Sequence, residues 1–257
     1  MEVFLNPSAW IALLTLTFLE IVLGIDNIIF ISIATGKLPE EKRKKATQIG
    51  LFLAMFLRIA LLMGISVLIA MKEAWFTINF NWFTAQITGQ SLILFLGGLF
   101  LLYKSTTEIR EKIEEKGFEE KQIGKSAAKQ FSRVLLQIML IDLVFSFDSI
   151  LTAVGMTNGV PGAIYIMVTA VVISVFIMMQ FAVPVGIFVN KHPTIQILGL
   201  TFLVLIGFML ITEAAHLANA SFFGNHVDVV PKGYLYFAIS FSLMVEVLNM
   251  KMSKNKK

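Results

Sequence analysis

Two stretches of this chain set a pair of acids into otherwise apolar sequence at the same spacing. The first runs Phe18-Leu19-Glu20-Ile21-Val22-Leu23-Gly24-Ile25-Asp26-Asn27-Ile28, and the second Leu140-Ile141-Asp142-Leu143-Val144-Phe145-Ser146-Phe147-Asp148-Ser149-Ile150. In each, an acid is followed six residues later by Asp and then by a small polar residue, and the two copies are offset by 122 positions throughout. A carboxylate in a membrane span costs roughly 2.5–3.5 kcal/mol on insertion scales. Four of them in a repeated pattern require a compensating role, and passage of a cation is the simplest.

The surroundings are membrane sequence. Apolar residues make up 57% of the chain and charged ones 15%, and mean hydropathy is +0.81; a soluble domain carries about 25% charged residues. Apolar runs of about 20 residues recur, each long enough for roughly 30 Å of hydrocarbon. Seven spans are predicted, at 9–33, 47–71, 87–104, 132–156, 162–189, 194–217 and 233–250. The first reads as a retained span and not as a cleavable leader, since it lacks a basic n-region and holds Glu20 and Asp26. There are no cysteines, which excludes disulfides and thiolate metal sites.

The basic residues sort by side. If the spans alternate, the loops at 34–46 and 104–133, Lys191 and the C-terminal tail share one side and hold 18 Lys and Arg, whereas the other side has Lys72 and Lys232 alone. The positive-inside rule then puts the N-terminus outside and the C-terminus in the cytoplasm of a plasma (inner) membrane protein. The net charge of +4 is loop charge of this kind and gives no reason to expect nucleic acid as a partner; the lipid bilayer is the expected surrounding.

The acid motif falls in spans one and four, which cross in opposite directions. That is the signature of an inverted 3+3 repeat with one extra helix. The expected organisation is a first repeat over 1–104, a charged and partly helical cytoplasmic linker over 105–131, a second repeat over 132–217, and a seventh span with a basic tail over 218–257. A fainter echo pairs Thr107-Glu108 with Thr212-Glu213.

Six residues on a straight helix turn the second acid of each pair about 120° away from the first. Neither Glu20 with Asp26 nor Asp142 with Asp148 can then face one ion. Gly24 and Ser146 lie between the acids, so a local unwinding there is expected, of the kind that builds midplane ion sites in transporters. Asn27 and Ser149 add neutral oxygens. A donor set of carboxylate, amide and hydroxyl suits Mg²⁺, Ca²⁺ or Mn²⁺.

These motifs, with the final-span run Phe241-Ser242-Leu243-Met244-Val245-Glu246-Val247-Leu248-Asn249, resemble the TerC family of integral membrane proteins over essentially the whole chain. The resemblance implies a seven-span inverted repeat and efflux of divalent metal, chiefly Mn²⁺, with Glu20, Asp26, Asn27, Asp142, Asp148 and Ser149 handling the ion. The family is named for tellurite resistance, but an acid-lined site repels an oxyanion.

Other residues are expected in supporting roles. Arg58, deep in span two, should pair with a motif acid and could hold the empty site in charge balance. Glu246 shares a helix face with Ser242 and Asn249, either lining the cytoplasmic approach or lying at the interface beside the lysine tail. Glu213 and His216, spaced i, i+3, read as packing or interfacial residues, and Pro184 predicts a kink in span five, with Gln180 one turn before it.

The reading is a secondary transporter exporting Mn²⁺, with Ca²⁺ or Mg²⁺ as alternatives and protons as the candidate counter-ion. Two other classes stay open. One is a membrane assembly protein that supplies metal to, or assists, exported proteins, with secretion machinery or further copies of itself as partners; the other is a transporter of another small solute. No enzyme motif is present.

Overall fold

A computed structural model describes residues 7–114, 127–157, 160 and 162–254, without the side chains of residues 25, 26, 127–129, 253 and 254. The chain is built from α1 (Pro7–Gly36), α2 (Glu40–Met63), α3 (Ile65–Ala70), β1 (Ala74–Phe80), β2 (Phe83–Thr88), α4 (Gly89–Glu114), α5 (Ala127–Met156), α6 (Ala163–Lys191), α7 (Pro193–Leu217), β3 (Ser221–Phe222), β4 (Asn225–His226) and α8 (Lys232–Lys254). Among the described residues, seven helices (all but α3) are long and apolar enough to cross a membrane. The helices close to their expected ends for local reasons. Pro39 precedes α2, whose first turn holds Glu40 and Glu41, acids that suit the positive end of a helix. Pro193 opens α7, where its missing N–H costs nothing.

The chain divides into two compact units, 1–69 with 122–191, and 70–121 with 192–257. In the first, α1 packs along α6 and against α5, while α2 packs against α5 and α6. The turn into α2 is pinned by Gln130 of α5, whose Nε2 donates to the Lys37 carbonyl at 2.8 Å. α6 runs from Ala163 to Lys191 with Pro184 inside it, and Gln180 is exposed.

In the second unit α4 and α7 run antiparallel, since Leu92 and Phe95 near the start of α4 line the same cavity as Ile211 and Ala215 near the end of α7. They cross at two glycines: a Cβ on Gly98 would stand 2.7 Å from the Gly207 carbonyl oxygen. α4 continues through Glu114, so the segment expected as a linker over 105–131 begins as the last turns of that helix and ends as the first turn of α5; residues 115–126 lie outside the described residues.

The interval 72–86, read as a loop from its sequence, instead forms an antiparallel hairpin. β3 and β4 extend it to a sheet in the order β1-β2-β3-β4. The signal was present: Thr77-Ile78-Asn79-Phe80 and Phe83-Thr84-Ala85-Gln86-Ile87 are aromatic and β-branched residues about a two-residue turn. The β3–β4 turn places Phe223 and Gly224 both at positive φ, 51° and 81°, the conformation tight hairpin turns favour.

A candidate ion site in the first unit

The buried centre of the first unit is an arginine held between two helices that each supply an acid. Arg58 of α2 is 3% exposed. Its Nη1 donates to Glu20 of α1, its Nη2 to Oδ1 of Asp142 of α5 at 3.0 Å, and its Nε to the Ser146 hydroxyl at 3.0 Å. The Ser146 hydroxyl donates in turn to Asp142 Oδ2 at 3.0 Å. Glu20 and Asp142 are the leading acids of the two repeated motifs, so Arg58 joins both copies, where the sequence predicted only one partner. A guanidinium presents a rigid fork that suits two carboxylates at once, and it keeps its charge at any accessible pH. Two carboxylates against one guanidinium leave this cluster with one net negative charge.

The wall beside the cluster is apolar. Glu20 borders a cavity of about 10 Å³ whose other walls include Leu16, Leu62, Ile150 and Ala153, room for about one water. Two further oxygens on α1 are buried without a hydrogen-bond partner, Oγ1 of Thr17 and Oδ1 of Asn27. Thr17, Glu20, Gly24 and Asn27 follow one another at steps of three and four residues and so share a helix face. An unpaired buried carbonyl oxygen is costly and needs a reason. Asn27 was singled out from the motif. Thr17 was not, although its place one turn before Glu20 is the spacing that would have found it.

The remaining predicted residues divide. Ser149 is buried and spends its hydroxyl on the Ser146 carbonyl at 3.2 Å. Asp148 is half-buried, and its carbonyl accepts from Thr152 Oγ1 at 3.1 Å. Asp26 lies in α1, and its side chain falls outside the described residues. Glu246 stands half-exposed on α8, in the second unit, with Asn249 exposed on the same helix. His216 is exposed, and its Nδ1 lies 3.1 Å from the Val227 carbonyl, a contact to the strand segment. Among the described residues no group of three or more His, Asp and Glu gathers at metal-binding range.

The expected unwinding does not occur. α1 is helical from Pro7 to Gly36 and α5 from Ala127 to Met156. Gly24 and Ser146 have other uses: a methyl at Gly24 would collide with the Met178 sulfur of α6, and Ser146 is fully buried between Arg58 and Asp142. The two helices therefore keep the 120° offset, and among the described side chains Glu20 and Asp142, the leading acids, are the ones bonded to Arg58.

The description "Integral membrane protein TerC family" matches residues 5–257. The chain is 46% identical over 252 residues to the UPF0053 inner membrane protein YgdQ of Escherichia coli (strain K12), covering 98% of this chain and 96% of that one. It is 44% identical over 250 residues to a UPF0053 protein of Haemophilus influenzae, covering 97% and 96%. The E. coli protein YoaE, also named a UPF0053 inner membrane protein, is 43% identical over 255 residues, which are 99% of this chain and 45% of that protein. No solved structure matches.

Proposed function

We propose, from the premise that this chain belongs to the TerC family of integral membrane proteins, that it is a secondary transporter in the inner membrane exporting divalent metal, Mn²⁺ first among the candidates. The observation that carries this reading is the meeting of Glu20 and Asp142 at Arg58. Acids from two separated copies of one motif converge on a single buried point. Buried ionisable residues in membrane spans mark ion pathways, and hard oxygen donors suit Mn²⁺, Mg²⁺ or Ca²⁺. The unpaired Asn27 oxygen adds a neutral donor of the same kind.

The helix packing supports an inverted repeat, one of the frames on which transporters build alternating access. Exchanging α1 with α5 and α2 with α6 converts the α1–α6 contact into the α5–α2 contact, and both exist. Protons are the counter-ion in this proposal, since carboxylates that hold a divalent ion in one half-cycle can hold protons in the other. The four motif acids, with Asn27 and Ser149, are the ion-handling residues.

The test is purified protein in liposomes, with a panel of Mn²⁺, Ca²⁺ and Mg²⁺ and pH gradients imposed in both directions. Metal-dependent flux that responds to the gradient is expected. Intact folding without flux of any of the three overturns the proposal and moves the weight to an assembly role.

A further inference from the structure

We infer that Arg58 is a tethered competitor of the transported ion: it holds Glu20 and Asp142 when neither cargo nor protons do, and cargo binds by displacing its two Nη groups. The inference rests on the transport reading above and assigns Arg58 a regulatory part in it.

Glu20 and Asp142 cannot stand bare. Each is buried, and the cavity beside Glu20 is walled by Leu16, Leu62, Ile150 and Ala153, none of which donates a side-chain hydrogen bond. Taking an ion from water into such a place carries a penalty of several kcal/mol unless it is paired. Each acid therefore needs a partner, either a cation or a proton. In this structure the partner is Arg58, which holds one oxygen of each acid. A divalent ion bridging α1 and α5 would draw on the same two carboxylates. The guanidinium and the metal cannot both have them, because like charges a few ångströms apart repel strongly in a low dielectric. Occupancy is thus an exchange and never a simple filling.

The hydrogen bonds differ in what they give up. Nη1 and Nη2 hold charged oxygens that cargo would claim, whereas Nε holds the neutral Ser146 hydroxyl. Ser146 is the pivot: the fork swings off the acids with its base retained and returns as the ion leaves. Return of the fork makes release favourable, since a buried site that bound a divalent ion without a competitor would hold it.

The test measures equilibrium Mn²⁺ binding to the full-length protein in detergent, by electron paramagnetic resonance of the free ion, for wild type, Arg58→Gln and Arg58→Lys. Arg58→Gln is expected to bind roughly tenfold or more tightly, as follows from removing a like charge close to the ion, and to lose transport in liposomes by failing to release it. Arg58→Lys keeps the competing charge and should return affinity to near the wild-type value. Should Arg58→Gln not fold, wild-type protein labelled with ¹⁵N-arginine answers instead. Mn²⁺ must then shift a guanidinium infrared band that is missing from Arg58→Lys. Transport by the wild type, combined with unchanged or weaker binding in Arg58→Gln, or with a guanidinium band indifferent to Mn²⁺, overturns this inference alone. A wild-type protein that neither binds nor moves a divalent ion overturns the transport reading and this inference with it.

Discussion

The Nε of Arg58 and the hydroxyl of Ser146 lie 3.0 Å apart, and that hydroxyl passes its own proton toward Asp142 Oδ2. One small side chain thereby serves as acceptor to the guanidinium and donor to its partner acid. Ser146→Ala fits the space, since Ser146 is fully buried and alanine is smaller. It leaves the buried Nε–H without an acceptor, a loss of about 1–3 kcal/mol. Thermal unfolding in detergent should show a lower midpoint with unchanged helical content. A midpoint equal to the wild type would mean that the bond contributes nothing.

The charge count of the cluster predicts an order of stabilities. Arg58→Gln strands two buried carboxylates and should cost about 3–5 kcal/mol. Glu20→Gln removes the surplus negative charge and leaves a matched Arg58–Asp142 pair, so it should cost less. Adding Glu20→Gln to Arg58→Gln should therefore recover stability, whereas two independent losses would add. Denaturation of the single and double variants at one pH measures this. Simple additivity would show that the three side chains do not act as a unit.

Much of this site was legible because membrane burial makes polar residues expensive. An arginine in the middle of an apolar span has to find an acid, and Glu20 and Asp142 lie near the middle of their own spans. What the sequence hid was geometry. The breaks expected at Gly24 and Ser146 rested on the idea that all four acids share one ion. Those residues instead serve close packing against Met178 and the hydrogen bonds of Arg58. A small residue in a helix reads the same from sequence whether it permits unwinding or a close neighbour. The hairpin over Ala74–Thr88 was hidden by its setting: between two spans, a short aromatic stretch passes for a loop unless its alternation is counted.

The close crossing of α4 and α7 gives a prediction within the second unit. A Cβ on Gly98 meets the Gly207 carbonyl oxygen at 2.7 Å, and one on Gly207 meets the Gly98 oxygen at 3.0 Å. Neither obstacle is a flexible side-chain end, so the helices must part. Gly98→Val should destabilise the protein by about 1–3 kcal/mol, the usual cost of overpacking. A wild-type unfolding midpoint for Gly98→Val would contradict that crossing.

Orientation can be tested at described positions, since the chain has no cysteine of its own. Asn81 lies in the exposed turn of the β1–β2 hairpin and Lys112 is partly exposed near the end of α4, on opposite ends of one span. The 18-to-two distribution of Lys and Arg puts the hairpin outside. An impermeant thiol reagent on intact cells should label Asn81→Cys and spare Lys112→Cys. The reverse pattern would invert the topology.

The trailing acids separate ion handling from structural pairing. Glu20 and Asp142 are tied to Arg58, so their loss changes both stability and transport, and flux data on them alone would be ambiguous. Asp148 stands outside that cluster and is half-buried, with the same place in its motif as Asp26. Along each helix the trailing acid lies about 9 Å from the leading one, a step that suits hand-over of an ion better than a single cage. In the proposed inverted-repeat topology the two motif copies would cross in opposite directions, with position 26 toward the cytoplasm and position 148 toward the outside. Asp148→Asn and Asp26→Asn each remove one charge from the proposed path with little change of volume, and neither touches the two acids that bond Arg58. Both variants should therefore unfold near the wild-type temperature and yet lose Mn²⁺ efflux from reconstituted vesicles. If both export at the wild-type rate, the ion does not pass these residues and the two motifs are structural. If either fails to fold, that acid belongs to a buried pairing like that of Arg58, and its part in transport has to be read from a variant that keeps the charge, such as Asp148→Glu.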